Sequence, residues 1–125
     1  MAGGVRIFRN KPFSRFARKA GITAPELWDA IERAECGLVD ADLGGGVVKQ
    51  RIARAGSGKS GGFRTIILLR IGSRAFFVHG FAKNDLGNIR SDELAAFKLL
   101  ANYVLALSER ELEAALRAGV FCGDH

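Results

Sequence analysis

Apolar and polar positions along the chain switch between two periods. Val5-Arg6-Ile7-Phe8 alternates weakly and predicts a short strand. From Pro12 to Lys19, Phe13, Phe16 and Ala17 recur at helical spacing with cations on the other side, and Gly21 follows where a left-handed cap would end the helix. Thr23-Ala24-Pro25-Glu26 is a capping box with proline in the first turn, where hydroxyl and carboxylate satisfy orphan N–H donors. The helix it opens carries Leu27, Trp28 and Ile31 on one side and stops at Gly37. Asp40 to Gly46, ending in three glycines, predicts a loop.

The period then falls to two. Over Val47–Arg54, Val48 and Ile52 share one face, Lys49 and Arg51 the other. Phe63–Arg70 is the most apolar run and is expected at the sheet centre. Arg74–Phe81 pairs with it through a two-residue turn at Gly72-Ser73, giving an antiparallel meander. After a loop over Ala82 to Asn88, Ser91, Asp92 and Glu93 start a helix. Leu94, Phe97, Ala101 and Val104 line its apolar stripe, widened by Leu100, Tyr103 and Leu107, so that Tyr103 reads as core. Ser108-Glu109-Arg110-Glu111 is a second capping box, opening a helix through Leu116, with a loose tail expected from Gly119. This order predicts one α+β domain over residues 1–125: a small antiparallel sheet of three to four strands with helices packed on one face. The opposite face is left to the cations.

A chain of 125 residues, 48% hydrophobic, is one domain by size and has material for a core. No apolar run approaches the roughly 20 residues of a membrane helix, and Met1 to Arg6 lacks the apolar stretch of a signal peptide. A cytoplasmic protein with no membrane partner is expected. Cys36 and Cys122 read as ordinary thiols of a reducing compartment, and His79 and His125 form no metal-ligand spacing with them, so neither metal nor cofactor is expected. The formal net charge of +6 points to a polyanionic partner. Between Lys49 and Arg90 there are nine cations and one acid, Asp85; between Ser91 and Gly119, five acids and three cations. The basic charge therefore lives on the middle strands and their loops.

Gly58-Lys59-Ser60 imitates the end of a nucleotide-binding P-loop. That motif needs a glycine where Ala53 stands, and a helix after the loop where the β-branched run from Phe63 predicts a strand. The stretch reads instead as a glycine-rich basic loop joining two strands, with Arg64 at the start of the second. A phosphate ligand would then be met by side-chain cations rather than by backbone N–H groups.

The blocks Lys49-Gln50-Arg51-Ile52-Ala53-Arg54, Gly58-Lys59-Ser60-Gly61-Gly62-Phe63-Arg64 and Phe81-Ala82-Lys83-Asn84, with Asn88-Ile89 and Glu93-Leu94 beyond, resemble the RelE/HigB-like toxins of bacterial type II toxin–antitoxin modules, in the RelE/ParE superfamily. The likeness covers residues 47–107. It implies a RelE-like microbial RNase fold and a toxin that inhibits translation as a ribosome-dependent, metal-independent mRNA endonuclease. In such a reaction the 2′-OH is deprotonated and attacks the adjacent phosphate, the 5′-oxygen leaves and is protonated, and a 2′,3′-cyclic product remains. Cations must hold that phosphate and stabilise its added charge. By resemblance, Arg64 is the strand arginine that faces the scissile phosphate, Lys83 the basic residue after the last strand, and Asn84 stands where some relatives carry arginine, leaving the second arginine of the site in doubt. Lys49, Arg51, Arg54 and Lys59 correspond to RNA-contacting cations. His79, the one internal histidine, is placed with Phe77 and Phe81 by alternation and reads as a core or edge residue beside the RNA rather than a general base. Base stacking is assigned to Phe63. The implied partners are an antitoxin of helix-turn-helix type, the ribosome and mRNA. A gyrase-inhibiting toxin of the ParE branch and a non-catalytic nucleic-acid-binding relative remain as alternatives.

Overall fold

The computed structural model describes residues 4–52, 62–82 and 89–124. Its strands are β1 (Arg6–Arg9), β2 (Ala41–Gly44), β3 (Val47–Ile52), β4 (Phe63–Arg70), β5 (Arg74–Ala82) and β6 (Cys122–Asp124), and its helices α1 (Lys11–Ala20), α2 (Ala24–Glu35), α3 (Ser91–Val104) and α4 (Glu109–Arg117). The α+β class stands, but the sheet has six strands in the order β2-β3-β4-β5-β1-β6 and is mixed, because β1 runs parallel to β5. Two edge strands were not expected. The Asp40–Gly46 segment, read as a loop, supplies β2 against β3, and the tail read as loose supplies β6 against β1, with Phe121 buried just before it.

Local chemistry sets the helix ends. Asn10 caps α1, its Oδ1 accepting the Phe13 N–H at 2.9 Å, and Gly21 ends the helix at φ 71°. Glu26 Oε1 accepts from the Thr23 N–H at 2.8 Å, and in the Ser108–Glu111 box each backbone N–H donates to the other side chain. The turn between β4 and β5 spans three residues rather than two, with Arg70 paired to Arg74 and Gly72 at φ 77° between them. Both Glu35 oxygens accept the Gly72 N–H at 3.1 Å, tying the end of α2 to this turn.

Helices cover both faces of the sheet, correcting the expectation of one covered face. β4 is apolar on both sides, so each side needs a cover. Ile67 and Leu69 pack with Phe13, Ala17, Leu27 and Ile31 of α1 and α2. Ile66 and Leu68 pack with Ala101 and Val104 of α3 and Leu112 of α4. Tyr103 does not join this second core: it is 66% exposed, one position off the Ala101–Val104 line that faces the sheet. No helix among the described residues is long and apolar enough to cross a membrane.

Candidate RNA-binding site

The site-forming part of the sheet is the end of β3, β4 and β5 where α3 begins. Cross-strand register sets two rows, Lys49–Ile66–His79 and Arg51–Arg64–Phe81. Strand alternation from Val47, Ile66 and Leu68, all in the α3-side core, puts Lys49, Arg51 and Arg64 on that same face. Three cations from two neighbouring strands thus meet where like charges ordinarily repel.

Asp40, just before β2, sits among them. Its Oδ2 lies within ion-pair distance of two of them, 3.3 Å from Arg64 Nε and 3.5 Å from Lys49 Nζ. The Arg64 side chain is 16% exposed, and its Nη1 is buried with no hydrogen-bond partner among the described residues. A buried donor without a partner costs about 1–3 kcal/mol. An arginine held for structure alone would normally spend its donors on the protein. This one leaves a buried donor unspent within a cationic patch. An open pocket of about 230 Å³ adjoins the patch, lined by Arg33, Leu38, Val39, Asp40, Gln50 and Arg51.

Aromatic rings border the cations on the other side. His79 lies 5.8 Å from the Phe81 ring and 5.9 Å from that of Phe97, partly exposed between them. Its neighbours differ from the alternation reading in one respect. Ile66 pairs with His79 but Ile67 with Phe77, so Val78 is an extra residue on β5. That bulge resets the alternation: Phe77 faces α1 and α2, while His79 joins Phe81 on the α3 side. Asn10 holds the bulge, its N–H donating to the Phe77 carbonyl at 3.2 Å and its Nδ2 to that of Val78 at 3.1 Å. Phe63 turns to the opposite face and packs edge-on against Phe16, 5.6 Å between centroids, which removes it as a stacking platform beside Arg64.

Lys49, Arg51, Arg64 and His79 are therefore brought together. Arg54, Lys59, Lys83 and Asn84, with the glycine-rich loop itself, lie outside the described residues; the element after that loop is a strand, as the rejection of a P-loop required. Other cations of the basic region are spent on the fold. Arg74 Nη1 donates to the carbonyls of Val104 at 3.2 Å and Leu107 at 2.8 Å, and Arg70 Nη1 to that of Leu105 at 3.2 Å, completing the carboxyl end of α3. Sequence reasoning missed Asp40, Phe81 and Phe97 as site residues. The signal for Asp40 was present: Val39-Asp40-Ala41-Asp42-Leu43 alternates apolar and polar like a strand, but the glycines after it read as a loop. Among the described residues no group of His, Cys, Asp or Glu side chains is placed to hold a metal ion.

No curated protein sequence is similar enough to the chain to count as a match. The family model described as the RelE toxin of the RelE/RelB toxin–antitoxin system matches residues 5–123. That span takes in all four helices, the cation rows and most of β6, and by it the chain belongs to the RelE toxin family.

Proposed function

We propose that the chain is a ribosome-dependent mRNA endonuclease, the toxin of a toxin–antitoxin pair, whose substrate is the RNA phosphodiester and whose charge is met by side-chain cations. The observation that carries this reading is Arg64: in ion-pair contact with Asp40 at Nε, unpartnered at buried Nη1, and flanked by Lys49 and Arg51. The planar guanidinium fork suits two phosphate oxygens, and Nη1 has a donor left to give once RNA displaces what shields it. As the 2′-OH gives up its proton and attacks, the bond from phosphorus to the 5′-oxygen of the next nucleotide breaks and that oxygen takes up a proton, while the charge that grows on the non-bridging oxygens is met by the Arg64 guanidinium. Lys49 and Arg51 hold the flanking backbone. Phe81 and Phe97 offer ring faces for a splayed base, with His79 between them. Lys83 and Asn84 are retained as candidates for contact with the scissile phosphate, and Arg54 and Lys59 for the RNA strand. The partner that silences the site is a cognate antitoxin of helix-turn-helix type, and the working compartment is the cytoplasm.

The test is translation in vitro with purified protein, followed by primer extension on the message. Wild-type protein gives cuts at fixed codon positions, and Arg64→Ala lowers the cleavage rate by about 10²–10³-fold, the usual cost of removing one donor to a developing oxyanion. Absence of cuts with Arg64 intact, or inhibition of gyrase supercoiling in their place, overturns the reading.

A further inference from the structure

Asp40 poses an electrostatic problem. A carboxylate beside a site for a polyanion repels the ligand, yet this one lies within ion-pair distance of two members of the cluster Lys49, Arg51 and Arg64. Its effect on geometry accounts for its place. Arg51 stands directly across from Arg64, with Lys49 on the diagonal, so the three cations would spread apart if left alone. Asp40 Oδ2 draws Lys49 Nζ and Arg64 Nε onto one oxygen. Because the guanidinium is planar, fixing Nε together with the side-chain stem fixes the heading of the end pair Nη1 and Nη2.

We propose that Asp40 is a positioning residue of the RNA site, acting through Arg64 and Lys49 without touching substrate. The proposal rests on the RNA-cleaving reading for its effect on rate, but not for its effect on Arg64. It gives binding and turnover opposite signs. Removing the carboxylate adds one net positive charge to the patch and tightens RNA binding, by about 3–10-fold at low salt, with a steeper salt dependence. The same change releases the guanidinium, and a misplacement of about 1 Å at a reacting centre costs on the order of 10²-fold in rate.

The experiment compares wild type, Asp40→Asn and Asp40→Glu in three measurements. Anisotropy of a labelled RNA oligonucleotide reads affinity. Single-turnover cleavage of message on programmed ribosomes reads rate. The nitrogen-15 resonance of the Arg64 side-chain Nε–H reads the ion pair with no RNA present. Asp40→Asn is expected to bind RNA more tightly, to cleave about 10–100-fold more slowly and to shift or broaden the Arg64 Nε–H signal, while Asp40→Glu recovers part of the rate. Equal losses of binding and cleavage together with a lowered thermal midpoint make the pair merely structural and overturn the proposal. So does an unchanged Arg64 signal in Asp40→Asn. If wild type fails to cleave, the RNA-cleaving reading falls, and the Arg64 resonance still decides whether Asp40 positions that side chain.

Discussion

Asn10 donates its Nδ2 to the carbonyl of Val78 at 3.1 Å, so the residue that caps α1 also holds the bulge of β5. Asn10→Ala loses both contacts and is expected to cost about 1–2 kcal/mol. Asn10→Ser keeps a cap but cannot reach Val78, and should fall between the two. Urea unfolding of the three proteins separates the cap from the bulge; equal stability of the Ser and Ala variants would show that the cap contributes nothing.

Gly80 is a position where only hydrogen fits. A Cβ placed there lands on the ring of Phe16. Gly80→Ala is expected to destabilise by about 1–3 kcal/mol through overpacking. Phe16→Leu in the same background should return part of that loss, so a double-mutant cycle with no coupling would refute the steric account.

These positions also show what the sequence made legible. β4 was read with its full bounds because Phe63 to Arg70 is a long apolar run, and the two glutamate boxes were readable because their partners lie three residues apart. The misses are non-local. β6 exists only because β1 offers it an edge, and β2 because β3 does. The bulge at Val78 depends on Asn10, far away in sequence, and without it the faces of Phe77 and His79 are assigned together. The Arg64 position was legible from the family likeness, whereas its carboxylate partner required the fold of an edge strand.

Arg74 and Glu109 are paired at 3.5 Å, yet they differ in what they contribute. The Arg74 side chain is 6% exposed and serves two helix-end carbonyls, whereas Glu109 is 72% exposed. Arg74→Met strands buried acceptors and is expected to cost about 3 kcal/mol. Glu109→Gln should change stability by less than about 0.5 kcal/mol, as exposed ion pairs do. Thermal unfolding of both variants checks the contrast, and comparable losses would contradict it.

Glu111 carries a pH signature. Hydrogen bonds from the Ser108 backbone N–H and then its side chain hold the carboxyl below its ordinary value of 4.5. A group whose folded pKa is depressed stabilises the fold above the unfolded pKa and loses that contribution as pH falls through the folded value. Glu111→Gln should therefore lower the thermal midpoint at neutral pH, with the gap from wild type closing below about pH 4.5. A gap of constant size down to about pH 3 would remove Glu111 as the titrating group.

The position of β1 has a meaning in time as well as in space. It is synthesised well before its partner β5, which begins at Arg74, and it must be seated before β6 has an edge to join. The hairpins of β2 through β5 can form among themselves from near neighbours, but the sheet cannot be completed until chain segments from opposite ends meet. Closing so long a loop is entropically slow. A nascent chain that has displayed its strand cations can therefore still lack the strand that locks α1, and with it Asn10, against the bulge beside the site.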